Sequence, residues 1–169
     1  MLRKLEPPSS NEAHLWFAVA DDFGRESLEE VYDWLSPEER HRHSRFHLAE
    51  GRRRYLVGRL LTRGVLSSYL QQDPKTLRFT HNEHGRPELW RQPKSRSLSF
   101  NLSNAFGMVV CCVTSGHPVG VDVEDLERSV DDAALEVARS GIDGIDVQRV
   151  GVPAVASEVE DVGLGHVAL

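Results

Sequence analysis

The chain has 169 residues, 40% hydrophobic and 27% charged, the composition expected of one soluble globular domain with a real core. No apolar run approaches the roughly 18–20 residues of a membrane span, and a net charge of −6 argues against a protein that holds nucleic acid through bulk positive charge. That charge is divided: residues 1–39 carry −7, residues 40–100 carry +10 and residues 101–169 carry −9, so the basic middle suits an anionic ligand or partner, the plainer alternative being a solvated helix face.

In chain order, "MLRKLEPPSSNE" has basic residues but no apolar segment behind them, so no secretory signal is expected there. "HLWFAVA" (14–20) reads as a strand, and "SLEEVYDWL" (27–35) has helical spacing at Leu28, Val31 and Leu35. "SPEER" (36–40) is a helix start: Ser36 can cap, Pro37 suits the first helical position, and Glu39 sits where a capping box wants it. The helix "EERHRHSRFH" follows. "RRRYLVGRLLTRGVLSSYLQ" (52–71) then predicts a second helix, with a buried face at 56, 57, 60, 61, 65, 66 and 69, arginines on the other side, and Gly58 and Gly64 for close packing.

Beyond residue 75 the period changes. "TLRFT" (76–80), "RPELW" (86–90), "SLSFNLS" (97–103), "GMVVCCVT" (107–114) and "PVGVDVE" (118–124) read as strands separated by the turns "NEHGR", "NAFG" and "SGHP". The order of strand, helices, then several strands predicts an α+β fold. Cys111 and Cys112 are neighbours in an apolar strand and face opposite ways, so they are expected to be reduced core residues of a cytoplasmic protein. From Ala133 onward there is no Phe, Tyr, Trp or Lys, and "AALEVARS" (133–140) is the one helical piece of an irregular tail. Residues 1–132 are expected to form the folded unit and 133–169 a tail outside it.

Several side chains carry chemistry. Asp122 and Glu124 stand at i and i+2 in a strand, so they share a face. Two carboxylates side by side repel, and a divalent cation relieves that: Mg2+ takes one or two carboxylates and fills its octahedron with water and phosphate. Ordinary acids on a solvent-facing edge strand are the other reading. His43 and His47 have the i,i+4 spacing that can hold zinc, but no further ligand completes a set, and histidines solvated or near an anionic ligand fit better. "GRRRYLVGRLL" offers a basic patch for nucleic acid, yet its apolar residues keep core spacing.

Taken in order, "LSPEERHRHSRF" (35–46), "RRRYLVGRLLTRGVL" (52–66), "HGRP" (84–87), "FNLSN" (100–104) and "VGVDVE" (119–124) resemble the 4′-phosphopantetheinyl transferases of the larger, surfactin-synthetase-activating type. The resemblance covers roughly residues 12–132. It implies one half of a two-fold pseudo-symmetric fold, an antiparallel sheet packed with helices, with the site in the cleft between halves. The implied reaction moves the phosphopantetheine arm of coenzyme A onto a serine of an acyl- or peptidyl-carrier protein, with Mg2+, and releases 3′,5′-ADP. By motif, Asp122 and Glu124 match the metal ligands and Arg86 a residue that contacts the nucleotide. Ser103 matches a residue near the 3′-phosphate, and Arg42 and Arg45 fall in the basic segment at the nucleotide end.

Two departures bear on activity. The histidine that follows the serine in the family motif is Asn104 here, a neutral donor in place of a cation. The second half of the family opens with a W-x-x-K-E segment bearing the glutamate proposed as general base, and residues 125–169 contain no such segment. A reading-frame shift or truncation near Ser140 is the expectation. The alternative is a short form completed by a second copy or another chain. Since the missing half would have covered one face, an exposed apolar patch is also expected.

Overall fold

The computed structural model describes residues 4–90, 97–105, 107–123, 144–149 and 167–168. The expected Glu124 and the helical piece over 133–140 lie outside the described residues.

The described chain is an α+β unit in which helices pack on a mainly antiparallel sheet. Strand β1 (Glu12–Val19) leads to α1 (Arg25–Trp34), α2 (Pro37–Ser44), α3 (Ala49–Arg59) and α4 (Leu66–Leu70). A hairpin of β2 (Phe79–His81) and β3 (Pro87–Leu89) follows, then β4 (Leu98–Ala105), β5 (Met108–Ser115) and the short β6 (Asp122–Val123). Two strands come from the tail: β7 (Gly144–Arg149) and β8 (Val167–Ala168). The main sheet has the order β4-β5-β1-β7. Its β4–β5 and β5–β1 pairs are antiparallel, and β7 lies parallel to β1.

Alternation along the strands divides the core in two. Trp16 and Ala18 of β1 and Val109, Cys111 and Val113 of β5 face the helices, where Leu28, Val31, Val57, Leu61 and Leu66 meet them. Ala13 and Leu15 of β1, with Val110 and Cys112 of β5, face the other way and pack under Val119, Val121 and Val123. β5 is thus buried on both faces, which is why "MVVCCVT" is continuously apolar. Its two cysteines are free, buried and on opposite faces. Burial pushes both thiols up, Cys112 to about 11.

Three expectations need correction. The helix over 52–71 is not uniform: α3 and α4 are joined by a π-helical stretch, Leu60–Val65. The apolar residues step by five there, from 60 to 65 and from 61 to 66, which a straight α-helix would rotate off the core face. The wider π turn keeps both pairs inside. The arginines are not all on the outer side either, because Arg63 is fully buried. Nor is an apolar face left bare: among the described residues, Leu48 and Trp90 are the large exposed hydrophobics, and the second sheet face is covered by the valines of 119–123.

Candidate functional site at the edge of strand β4

β4 is an edge strand, and its side chains alternate between the two cores. Leu98, Phe100 and Leu102 pack towards the helices. Asn101 and Ser103 therefore stand on the opposite face, where the segment leading into β6 crosses them. The Asn101 Oδ1 accepts the Val121 N–H at 3.3 Å, and the Ser103 Oγ accepts the Val123 N–H at 3.2 Å. Ser103 spends its own proton on Asp122, donating to Oδ1 at 2.7 Å. The Val123 N–H also reaches that oxygen at 3.0 Å. Asp122 itself is exposed, and its Oδ2 has no partner among the described residues.

Arg86 approaches the same edge from the β2–β3 hairpin. The "NEHGR" turn places it: Asn82 Oδ1 accepts from the backbone N–H of both His84 and Arg86, each at 3.0 Å, and Gly85 takes a φ of +75° that a side chain would resist. The Arg86 Nη2 then donates to the Phe100 carbonyl at 3.0 Å and to the Val119 carbonyl. Arg86 is half-buried and serves as a strut between β4 and the segment that carries Asp122. Part of its hydrogen-bonding capacity is therefore already used, which the motif alone did not reveal.

The remaining expected residues lie apart. Arg42 and Arg45 are exposed, on α2 and at its C-terminal end, in the helix layer rather than on the Asp122 face of the sheet. Asn104 is exposed on β4. Among the described residues none of these three shares a hydrogen bond with Ser103 or Asp122. The structure brings together Arg86, Ser103 and Asp122, and adds Asn101, which the sequence reading passed over. Its signal was available: Asn101 and Ser103 are i and i+2 on one strand face.

A second polar cluster lies inside the helix layer. Ser36 and Glu39 form the capping box expected from "SPEER", the Ser36 N–H donating to Glu39 Oε2 at 2.9 Å and the Glu39 N–H to Ser36 Oγ at 3.3 Å. The same Glu39 Oε2 accepts from Arg63 Nη2 at 2.6 Å and Nε at 3.0 Å, while Oε1 accepts from Arg59 at 3.1 Å. Arg63 Nη1 closes the set on the carbonyls of Pro74 at 2.6 Å and Leu77 at 3.0 Å. Burial alone would raise the Glu39 pKa; the hydrogen bonds from Arg63 and the Ser36 backbone, with the Arg63 and Arg59 charges, outweigh it and hold the carboxyl below its ordinary value. His43 sits between the rings of Tyr32 and Tyr55 rather than in solvent, and burial, helped by Arg52, lowers its pKa.

For the cation implied by the resemblance, Asp122 is a suitable donor: an exposed carboxylate with one oxygen fixed and the other unpartnered among the described residues. Among the described residues no three His, Cys, Asp or Glu side chains converge. Magnesium, which keeps several waters and binds substrate phosphate, does not require three.

Comparison with known proteins bears on this arrangement. The family profile "4′-phosphopantetheinyl transferase, N-terminal" matches residues 24–116. The 4′-phosphopantetheinyl transferase HetI of Nostoc sp. is 32% identical over 130 residues, covering 75% of this chain and 54% of the relative. The 4′-phosphopantetheinyl transferase Sfp of Bacillus subtilis is 32% identical over 115 residues, 68% of this chain and 48% of the relative. A phosphopantetheinyl transferase of Thraustochytrium sp. is 36% identical over 105 residues, 60% of this chain and 35% of the relative. The chain thus spans about half the length of the first two relatives.

Proposed function

Because the chain belongs to the 4′-phosphopantetheinyl transferase family, we propose that it carries the magnesium- and coenzyme A-binding part of a transferase site. The reaction moves the phosphopantetheine arm from coenzyme A to a serine of an acyl- or peptidyl-carrier protein. The serine Oγ forms the new bond to phosphorus, the pyrophosphate P–O bond breaks, 3′,5′-ADP leaves, and the serine proton goes to a base. What supports the reading most is the junction of Ser103, Asp122 and Arg86 on one sheet edge, in a chain of this family. Asp122, with Glu124 beyond the described residues, would hold Mg2+, which when bound neutralises charge developing on the departing pyrophosphate. Arg42, Arg45, Arg86 and Asn104 are the residues we assign to the nucleotide. The exposed arginines of the basic middle suit both the anionic coenzyme and an acidic carrier helix. By its motif order, the chain fits the larger, surfactin-synthetase-activating type.

A second reading has its own observation. Residues 125–169 contain no Trp and no Lys, so the W-x-x-K-E segment with its glutamate base is not in this sequence. On that reading these residues form a module that holds coenzyme A or a carrier without transferring. General-base assistance is worth about 10²–10⁴-fold, so transfer by these residues without that glutamate would be slow. Mass spectrometry of an apo-carrier protein incubated with the chain, coenzyme A and Mg2+ separates the two. A phosphopantetheine adduct on the carrier serine that requires Mg2+ supports the transferase. Coenzyme A binding with no adduct supports the module. Neither binding nor adduct contradicts both.

A further inference from the structure

We propose that Asn101 and Ser103 are positioning residues that hold Asp122 in place by accepting the backbone N–H groups on either side of it. The cation role of Asp122 rests on the reading above; the holding role stands on geometry alone.

Residues 118–124 were expected to form a strand; of the described residues 118–123, Asp122 and Val123 belong to one. Val119, Val121 and Val123 are nevertheless buried, and buried backbone N–H groups require acceptors. Two of these N–H groups, on Val121 and Val123, are i and i+2, the spacing at which one strand edge presents its ladder donors. Side chains of β4 accept from both: Asn101 Oδ1 and Ser103 Oγ, themselves i and i+2 on one face of β4, while β6 also pairs with β8 through Asp122 and Val123. The result is a two-rung ladder with side-chain rungs, which lets the segment lie across the face of β4 instead of extending its edge.

The ladder also sets the carboxylate. Ser103 has one proton and gives it to Asp122 Oδ1, while its lone pair receives Val123 N–H. Asp122 Oδ1 takes a second donor from Val123. One oxygen is thereby fixed by two donors, and the other has no partner among the described residues. In this arrangement the Ser103 hydroxyl proton is on Asp122, and donating it to a phosphate would mean turning it away from Asp122. Outer partners of this kind commonly contribute about 10–100-fold to metal affinity.

The test uses the full chain without coenzyme A and two readouts. Amide hydrogen exchange at Val121 and Val123, followed by NMR without metal, reads the holding role. Mn2+ binding, followed by the loss of the free-ion EPR signal, reads the consequence for a cation. In Ser103→Ala, Val123 exchange is expected to quicken and Mn2+ affinity to fall about tenfold or more, with Ser103→Thr restoring both. In Asn101→Ala, Val121 exchange quickens and Mn2+ affinity falls less. Unchanged exchange in Ser103→Ala would overturn the proposal. So would weaker Mn2+ binding with unchanged exchange, since Ser103 would then be a direct ligand. A wild-type chain that takes up no Mn2+ would refute the cation reading of Asp122, while the exchange arm would still decide whether Asn101 and Ser103 hold the segment.

Discussion

Two polar clusters of this protein invite comparison. The first, Glu39 with Arg63 and Arg59, is closed: the Arg63 side chain is 2% exposed, and its donors reach a carboxylate and two backbone carbonyls. The second, Asp122 with Ser103 and Asn101, is open: it lies at a sheet edge and keeps a carboxylate oxygen in reserve among the described residues. Both are made of ordinary side chains brought within hydrogen-bonding distance from far apart in the chain. What separates them is leftover hydrogen-bonding capacity. A cluster that satisfies itself fixes the positions of helices and loops; a cluster with capacity to spare can take a ligand. The closed cluster ties α2, the π-helical stretch and the chain before β2 together. The open one ties β4 to the segment that bears Asp122.

The comparison is broken most severely by attacking the closed cluster. Arg63→Leu leaves the Glu39 carboxylate half of its partners and is expected to cost about 3–5 kcal/mol, as breaking a buried pair typically does. Urea unfolding measures it, and the double variant Glu39→Leu with Arg63→Leu should recover part of the loss, since the one charge it leaves unpaired, Arg59, is partly exposed. A loss in the single variant below the range of ordinary surface changes would show that the cluster is not the tie described here.

A smaller effect is expected from the cap. Ser36→Ala removes the acceptor for the Glu39 N–H and should cost about 1 kcal/mol in thermal or urea unfolding. Acid provides a third handle. The Glu39 carboxyl titrates lower folded than unfolded, so its stabilisation is complete above about pH 4.5, its ordinary value, and is lost as pH falls through the folded value. His43, also lowered, adds a loss in the same direction as pH drops below about 6.5. Urea titrations from pH 7 to pH 3 should show stability falling in both windows, with the lower step reduced in Glu39→Gln.

The smallest effect on stability belongs to the open cluster. Asp122→Asn keeps the side-chain shape and an acceptor for Ser103 at an exposed position, so unfolding should shift by less than about 0.5 kcal/mol. Its effect should appear in ligand binding instead.

How much of this was legible beforehand follows the same division. The capping box at Ser36–Glu39 was readable because it is local, four residues with fixed roles. The opposite faces of Cys111 and Cys112 followed from the period of a strand. The π-helical stretch was not foreseen, although the five-residue steps at 60–65 and 61–66 recorded it. Arg63 was assigned to the outer side because charge is ordinarily exposed; its partner Glu39 lies 24 residues away, and no local pattern links them. At the candidate site, Asp122 stands out by its strand spacing to Glu124 and Ser103 by the family motif, each separately. Their direct bond, the part played by Asn101, and the use of Arg86 as a strut depend on how β4, the hairpin and the segment before β6 are packed, which short-range spacing does not encode.

The claim at the centre is that Asp122 is the open end of a site that binds coenzyme A through a divalent cation. Calorimetry of coenzyme A against the wild-type chain and Asp122→Asn, each with and without Mg2+, addresses it directly. The expected result is binding by the wild type that strengthens with Mg2+, and by Asp122→Asn that is indifferent to it while the fold and melting point are kept. Equal strengthening by Mg2+ in both chains would contradict it.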